Sequence, residues 1–319
     1  MEKEKHREDM EVDLVYLWVN GNDPEWRKKR AQYSKGNNSD SGMDCEARYE
    51  NNNELKYSLR SVEKYAPWIR KIFIVTDNQI PEWLNVENHK IRIIDHKEIL
   101  PPEALPTFNS NVIEHLLFRI PDLSEYFLYA NDDMFFNRPV KKNDFFTYKG
   151  APIIRLNRRY FRKIWKFFVE KILKKQTSYY NLAIQKSAQM VADKYGRYIS
   201  HKPHHNIDAY KKSDYRHTFE VFKEEIEPTL QNHTRAGNDI QRVIYSFVPI
   251  LEKKAVVKYV NGNTSFRCHI EKPYYFDKLV KKNPLLFCLN DSQYADSGSH
   301  VRLRDFMESR FPDKSLFEK

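Results

Sequence analysis

Glycine is scarce in this chain, with eight residues in 319. None of them stands in a G-x-G-x-x-G or P-loop spacing, which excludes the familiar glycine-rich phosphate cradles. Cysteine is scarcer. Cys45, Cys268 and Cys288 are odd in number and lack metal-type spacing, so neither a disulfide framework nor a zinc site is expected, and reduced thiols are the reading. No apolar run reaches the roughly 18 residues of a membrane span. The opening MEKEKHREDMEVD has no apolar segment of the kind a secretory signal carries. These absences lead us to expect a cytoplasmic protein, peripheral at most on the inner face of the membrane.

What is present is a folding composition, 40% hydrophobic and 14% aromatic. The net charge of +10 and pI near 9.2 favour polyanionic partners: nucleic acid, anionic lipid or a phosphorylated substrate. Short apolar runs ended by turn residues read as strands at Val12–Val19, Lys71–Thr76, Ile91–Asp95, Tyr126–Ala130, Ala255–Val260 and Leu285–Leu289. Helices are expected from Asp23-Pro24, over Asn53–Tyr65, Asn109–Arg119, Asp239–Lys253 and Val301–Phe311. Residues 34–46 read as a mobile loop. This alternation predicts an α/β domain with a largely parallel sheet, whose ligands sit beyond the carboxyl ends of the strands. Asn20-Gly21, Asp77 and Asn131-Asp132-Asp133 all fall at such ends.

Residues 157–196 change character and read as a basic helical insertion. Phe161, Ile164, Trp165, Phe168, Val169 and Ile172 recur at helical spacing, and Glu170 is the only acid in 158–175. Two readings stay open, an ordinary packed helix with a solvated face, or contact with an anionic membrane or polyanionic product.

The chemistry starts with YANDDMFF at 129–136, an aromatic run broken by two adjacent carboxylates. Such a pair in apolar surroundings is costly unless a positive group meets it. It suits a hard divalent cation that keeps waters and substrate phosphates, although a solvated turn uses the same residues. FCLND repeats the pattern, ending on Asn290-Asp291, so two strands could supply oxygens to one metal-diphosphate site. SHKPHHNID offers His201, His204 and His205, with Pro203 breaking any regular zinc-binding helix. A neutral histidine beside a phosphate can take a proton from an attacking hydroxyl; a satisfied or surface histidine fits each one as well. NHTRAGNDIQ supplies Arg235, whose planar fork suits phosphate as readily as an ion pair with Asp239.

Four ordered blocks together resemble the Stealth family of sugar-phosphate transferases, which includes bacterial capsule polymerases and the catalytic part of N-acetylglucosamine-1-phosphotransferase. They are DLVYLWVNGNDPEW (13–26); RYENNNELKYSLRSVEKYAPWIRKIFIVTDNQIPEWL (48–84) with FNSNVIEHLLFRIPDLSEYFLYANDDMFF (108–136); HKPHHNID with HTRAGNDIQ; and FCLNDSQYADSGSHVRLRDFMESRFP (287–312). The segment 137–200 stands outside them. At His115–Phe118 this chain has His-Leu-Leu-Phe where members often carry further histidines.

The resemblance implies a single catalytic domain over 1–319, built on a Rossmann-like, GT-A-like nucleotide-sugar-binding sheet. Its reaction would move hexose-1-phosphate, such as N-acetylhexosamine-1-phosphate, from a UDP-sugar to a hydroxyl of an oligosaccharide or polysaccharide, releasing UMP. By the same resemblance, Asp133 holds Mg2+ or Mn2+ with Asp132 and Asn131, assisted by Asn290 and Asp291. Glu114 orients acceptor or metal water, His201 is the general base, and Arg235 stabilises the transferring phosphoryl group. Asn20, Gly21, Arg48, Asn53, Glu54 and Asp239 contact the donor. Two alternatives stand beside this: a metal-dependent glycosyltransferase releasing UDP, and a basic nucleic-acid-binding protein. The second is disfavoured because the basic residues concentrate in 158–175 and no nucleic-acid motif is present.

Overall fold

The computed structural model describes residues 10–34, 49, 51–160, 179–292 and 294–319. Its main sheet has the order β3-β2-β1-β4-β8. Strands β1 (Val12–Leu17), β2 (Ile72–Thr76), β3 (Ile91–Asp95) and β4 (Tyr126–Asn131) run parallel, and β8 (Asp208–Lys211) lies antiparallel to β4. Strands β1, β2 and β4 are mainly apolar because both of their faces are covered, whereas edge strand β3 leaves Arg92 exposed. Val12, Leu14 and Tyr16 of β1 join one core cluster and Val15 the other; Ile72 and Ile74 of β2 likewise oppose Phe73 and Val75.

Helix α1 (Pro24–Ala31) starts as expected, with Asp23 accepting from the amides of Glu25 and Trp26. Helix α2 (Glu54–Tyr65) buries Leu55, Leu59 and Val62 at helical spacing. Ser58 and Ser61 share the inward face and pin strand β5 (Met134–Phe136): Ser58 Oγ donates to Met134 O (2.5 Å), and Ser61 Oγ accepts from Phe136 N (3.1 Å). Tyr16 OH, 2.7 Å from Ser58 Oγ, ties this anchor to the main sheet. After β4 the chain leaves that sheet, and β5 joins a second one, order β10-β11-β5, with β10 (Ser265–His269) and β11 (Leu286–Asn290). A third sheet sets β6 (Ile153–Tyr160) between β7 (His201–Pro203) and β9 (Val256–Tyr259).

Several expectations need correction. Instead of one helix over Asn109–Arg119, the chain forms α3 (Ser110–His115) and then a 3-10 turn, Leu117–Arg119; the Leu116 amide bonds back three residues to Ile113 O. The helical insertion does not begin at Asn157, because β6 continues to Tyr160, where it pairs with His201 of β7. Helix α4 spans Tyr179–Tyr195. The basic amphipathic stretch between them, residues 161–178, lies outside the described residues, as does nearly all of the expected loop 34–46.

Helices α5 (Lys212–Val221) and α6 (Lys223–Leu230) were not anticipated. The helix expected from Asp239 is regular only as α7, Ile244–Leu251. Helix α8 (Tyr274–Lys282) and strand β10 are also additions, and α9 (Ser297–Arg310) begins earlier than Val301, with Asp296 as its cap. Among the described residues, no helix is long and apolar enough to cross a membrane.

Candidate active site

Parallel pairing brings the carboxyl ends of β1, β2 and β4 to one edge. After β1, the Asn20 amide donates to Gln79 Oε1 (2.8 Å), and Gln79 Nε2 returns to Asn20 O (3.2 Å) and Asp23 Oδ2 (2.9 Å). The loop beyond β2 thereby braces the loop beyond β1. At Gly21 a Cβ would come within 1.9 Å of Tyr49 O, a close approach that glycine alone permits. Asn53 precedes α2 at φ 63°, and Glu54 is buried, accepting from Asn52 N (2.8 Å) and Nδ2 (3.2 Å). Arg48 lies outside the described residues.

Strand β4 ends on Asn131, and Asp132-Asp133 turn the chain into β5, so the acidic pair sits where the main sheet hands over to the second one. Strand β11 meets it there. Leu289 N donates to Asp133 O (2.9 Å), and Cys288 Sγ donates to Asp133 Oδ2 (3.1 Å). Asp133 Oδ1 is buried with no hydrogen-bond partner among the described residues. A carboxylate left half-satisfied in this way is costly without a cation.

The energetic tension shows in the proton affinities. Burial and the charge of Asp133 push Asp132 up to about 7. Burial and Asp132 push Glu54 up to about 7. Burial pushes Asp133 up to about 6, against the Cys288 hydrogen bond that lowers it. An acid raised by folding adds stability below its ordinary value, and that stability is lost as pH rises through the folded value. Buried His96 and His115, both lowered to about 4 by burial, act in the opposite sense over the same range. The carboxylate effect therefore shows in a difference. In chelator, Asp132→Asn is expected to gain on the wild type in urea midpoint from about pH 4 to about pH 7, then hold constant. A difference that does not change with pH would contradict it.

One positive group acts on the pair. Arg267 lies opposite Cys288 in the β10–β11 register, and its charge lowers Asp133. The same guanidinium, after burial, depresses Lys202, whose amine falls to about 7. His205 is held well below its ordinary value by burial, then by Arg267, Lys202 and Arg242, and so stays neutral. A ring nitrogen of His205, a carboxylate oxygen of Asp133 and Cys288 Sγ lie within 4.8 Å of one another.

Behind the pair runs a network that the sequence did not reveal. Tyr129 OH lies 2.7 Å from Glu114 Oε1 and 2.8 Å from Asn131 Oδ1. Glu114 Oε2 is 3.7 Å from Arg242 Nε, and Arg242 Nη1 donates to Asp208 Oδ2 (2.7 Å) and to Tyr210 OH. Asp208 Oδ1 meets His204 Nε2 at 3.2 Å, and His204 Nδ1 reaches Ser265 Oγ (3.0 Å). Burial would raise Asp208, but Arg242 and His204 outweigh it and keep the carboxyl low. Only the spacing of His204, Asp208 and Arg242 around the HHNID and DIQR stretches could have hinted at this.

The remaining candidates disperse around this centre. His201, on β7, holds Asn157 O with Nδ1 (3.0 Å) and packs its ring against Tyr259. A carbonyl only accepts, so Nδ1 carries the proton and Nε2 of the neutral ring is the basic nitrogen. Arg235 Nη2 donates to Ser110 Oγ (2.8 Å) at the start of α3, and its Nε is buried with no partner among the described residues. Asp239 is fully buried; Asn109, Asn111, Ala236 and Asn232 donate to it, which places it inside the loop it shapes. Asn290 Oδ1 accepts from Arg267 Nε (3.0 Å) and Nη2 (2.6 Å), and Asp291 accepts from Ser292 N and pairs with His300 (2.9 Å). His115 is core, with its two nitrogens at Tyr245 OH and Ile240 O.

Comparison with known proteins matches residues 10–38 to Stealth protein conserved region 1 and 48–154 to conserved region 2. The second match carries the likeness past residue 136, correcting the boundary drawn at 137. The capsular polysaccharide phosphotransferase fcs1 of Haemophilus influenzae is 39% identical over 310 residues, 92% of this chain and 81% of that protein. The capsular polysaccharide phosphotransferase WcwK of Streptococcus pneumoniae is 30% identical over 335 residues, covering 97% and 98%. The solved galactosyltransferase LgtC, in complex with donor and acceptor sugar analogues, superposes loosely, with a TM-score of 0.45 at 14% identity over 93% of this chain and 95% of its own. With two conserved regions matched and near full-length identity to named phosphotransferases, this chain belongs to the Stealth family and is a transferase.

Proposed function

We propose that this protein transfers hexose-1-phosphate from a UDP-sugar to a hydroxyl of a capsular or cell-wall polysaccharide, with UMP as leaving group. The observation that carries this reading is the half-satisfied Asp133 beside Asp132, with the Arg267 charge acting on it and a neutral His205 close by. An acidic pair next to a guanidinium matches a metal-diphosphate, with negative phosphate lying between them. The carboxylates of Asp132 and Asp133 are hard oxygen donors and fit Mg2+ or Mn2+. When bound, that cation neutralises diphosphate charge. Asn290 and Asp291 are outer members of the set, and they now serve Arg267 and His300.

In the reaction the acceptor oxygen attacks the phosphorus that carries the sugar. Its proton passes to His201 Nε2, and the bond to UMP breaks with the electron pair leaving on UMP. The C1–O bond of the sugar stays intact, so the anomeric configuration is kept. Arg235 donates to the phosphoryl oxygens as charge shifts, an electrostatic role well suited to this kind of transfer. Glu114 acts through Tyr129 to hold Asn131, and so positions the acidic turn. Asn20, Gly21, Asn53 and Glu54 line the donor side, Arg48 is a further donor contact from outside the described residues, and Asp239 keeps the Arg235 loop in shape. The basic stretch 158–175 supplies positive charge for an anionic partner, membrane or polyanionic product.

His205 is a second candidate for the base, favoured by its place beside Asp133. The test is a panel of nucleotide-sugars assayed for metal-dependent nucleotide release with acceptor present. His201→Ala and Arg235→Ala are each expected to lower kcat about a hundredfold or more. Full activity in both variants, and in Asp133→Asn, overturns the assignment. Loss in His205→Gln with His201→Ala fully active moves the base to His205.

A further inference from the structure

Asp133 belongs to two donor sets. With Asp132 it offers hard oxygens; with His205 and Cys288 it offers one oxygen, one imidazole nitrogen and one sulfur. Magnesium takes oxygen ligands and has little use for sulfur, whereas zinc and cobalt bind a carboxylate, an imidazole and a thiolate together. The three ligand atoms already lie within 4.8 Å of one another, and Cys288 Sγ is 3.1 Å from Asp133 Oδ2. A tetrahedral zinc site needs edges of about 3.5 Å, so side-chain adjustments of roughly an ångström close it.

Backbone pairing fixes two of the three ligands. Cys288 sits opposite Met134 in the β11–β5 register, and Leu289 N holds Asp133 O. Asp133 Oδ1 meanwhile has no hydrogen-bond partner among the described residues. The other cysteine of this sheet, Cys268, pairs in register with Leu289, one position further along β11, and packs into a different core cluster.

We infer that Asp133, His205 and Cys288 form a binding site for a thiophilic divalent cation, Zn2+ or Co2+, and that its occupation inhibits the enzyme by taking Asp133 from the hard cation. Binding forms metal–oxygen, metal–nitrogen and metal–sulfur bonds, and the Cys288 thiol releases its proton to solvent. A fourth position stays open to water or phosphate, as in three-ligand zinc sites. The inhibition rests on the function proposed above; the binding does not.

Cobalt titration of the substrate-free protein under reducing conditions separates the two. A thiolate-to-cobalt charge-transfer band that saturates at one cobalt per chain is expected in the wild type. It should vanish in Cys288→Ser, weaken in apparent affinity about tenfold or more in His205→Gln, and persist in Cys45→Ser. Zinc should then inhibit the magnesium-supported rate of the wild type, with about tenfold more zinc needed in Cys288→Ser relative to that variant's own rate. Absence of the band, or its survival in Cys288→Ser, overturns the site. A band with no zinc inhibition of a working enzyme overturns the inhibitory role alone. If no transferase activity is found with any donor, the cobalt result still decides the site.

Discussion

In the Asp133→Asn protein, kcat/KM is expected to fall about a thousandfold at saturating Mg2+, while the thermal midpoint at pH 8 stays level or rises. The two effects share one cause. The folded protein holds the Asp133 carboxyl up at about 6, so at pH 8 the ionised form is a burden that the fold carries. Asparagine keeps the shape and still offers a carbonyl oxygen to Cys288, but it removes the charge. Activity measured with nucleotide-sugar and acceptor, together with calorimetry, checks both halves. A variant that is inactive because it is unfolded would show a lowered midpoint and is thereby distinguished.

The largest expected effect on stability lies away from the acidic pair. Arg242→Met is expected to destabilise the fold by about 3–5 kcal/mol, because it strands buried acids that the guanidinium now meets. Asp208, 6% exposed, loses its 2.7 Å partner, and Glu114 loses the cation 3.7 Å away. The Arg242 guanidinium also stacks 4.2 Å over the Tyr129 ring, next to Asn131. Arg242→Lys should recover part of the loss, since it restores charge but neither the fork nor the stacking surface. Urea denaturation of the three proteins at pH 7 measures the series; equal stability of Arg242→Met and wild type would show that the network is not a support.

The difference between these two residues marks what the sequence could reveal. Asp133 was legible because a polar break inside an apolar run is a local signal, and a parallel strand places its end at the ligand edge. The strands VDLVYL and IFIVT were legible for the same reason, as apolar runs covered on both faces, and IRIID as a short β-branched run with exposed Arg92 at the sheet edge. Arg242 was not. Its partners stand 34 and 128 residues away, and only tertiary packing brings Asp208 and Glu114 to it.

The histidines of SHKPHHNID could not be ranked from sequence, because that segment is neither regular helix nor long strand and its side-chain directions follow no period. The structure sends His201 to Asn157, His204 to Asp208, and His205 to Asp133 and Cys288. Strand β10 escaped notice because SFRCH buries only Cys268 fully, and α8 because only Leu279 is buried along it. Cys288 was in plain view within FCLND, but its meaning depends on the neighbour that β5 supplies.

In the proposed reaction, phosphorus moves with the sugar. The deciding experiment incubates a UDP-sugar donor, labelled in the phosphate that bears the sugar, with enzyme, Mg2+ and polysaccharide acceptor. The label is expected to enter the polymer, with UMP as the released nucleotide. Label recovered in UDP, with none in the polymer, would contradict it and make the protein a glycosyltransferase.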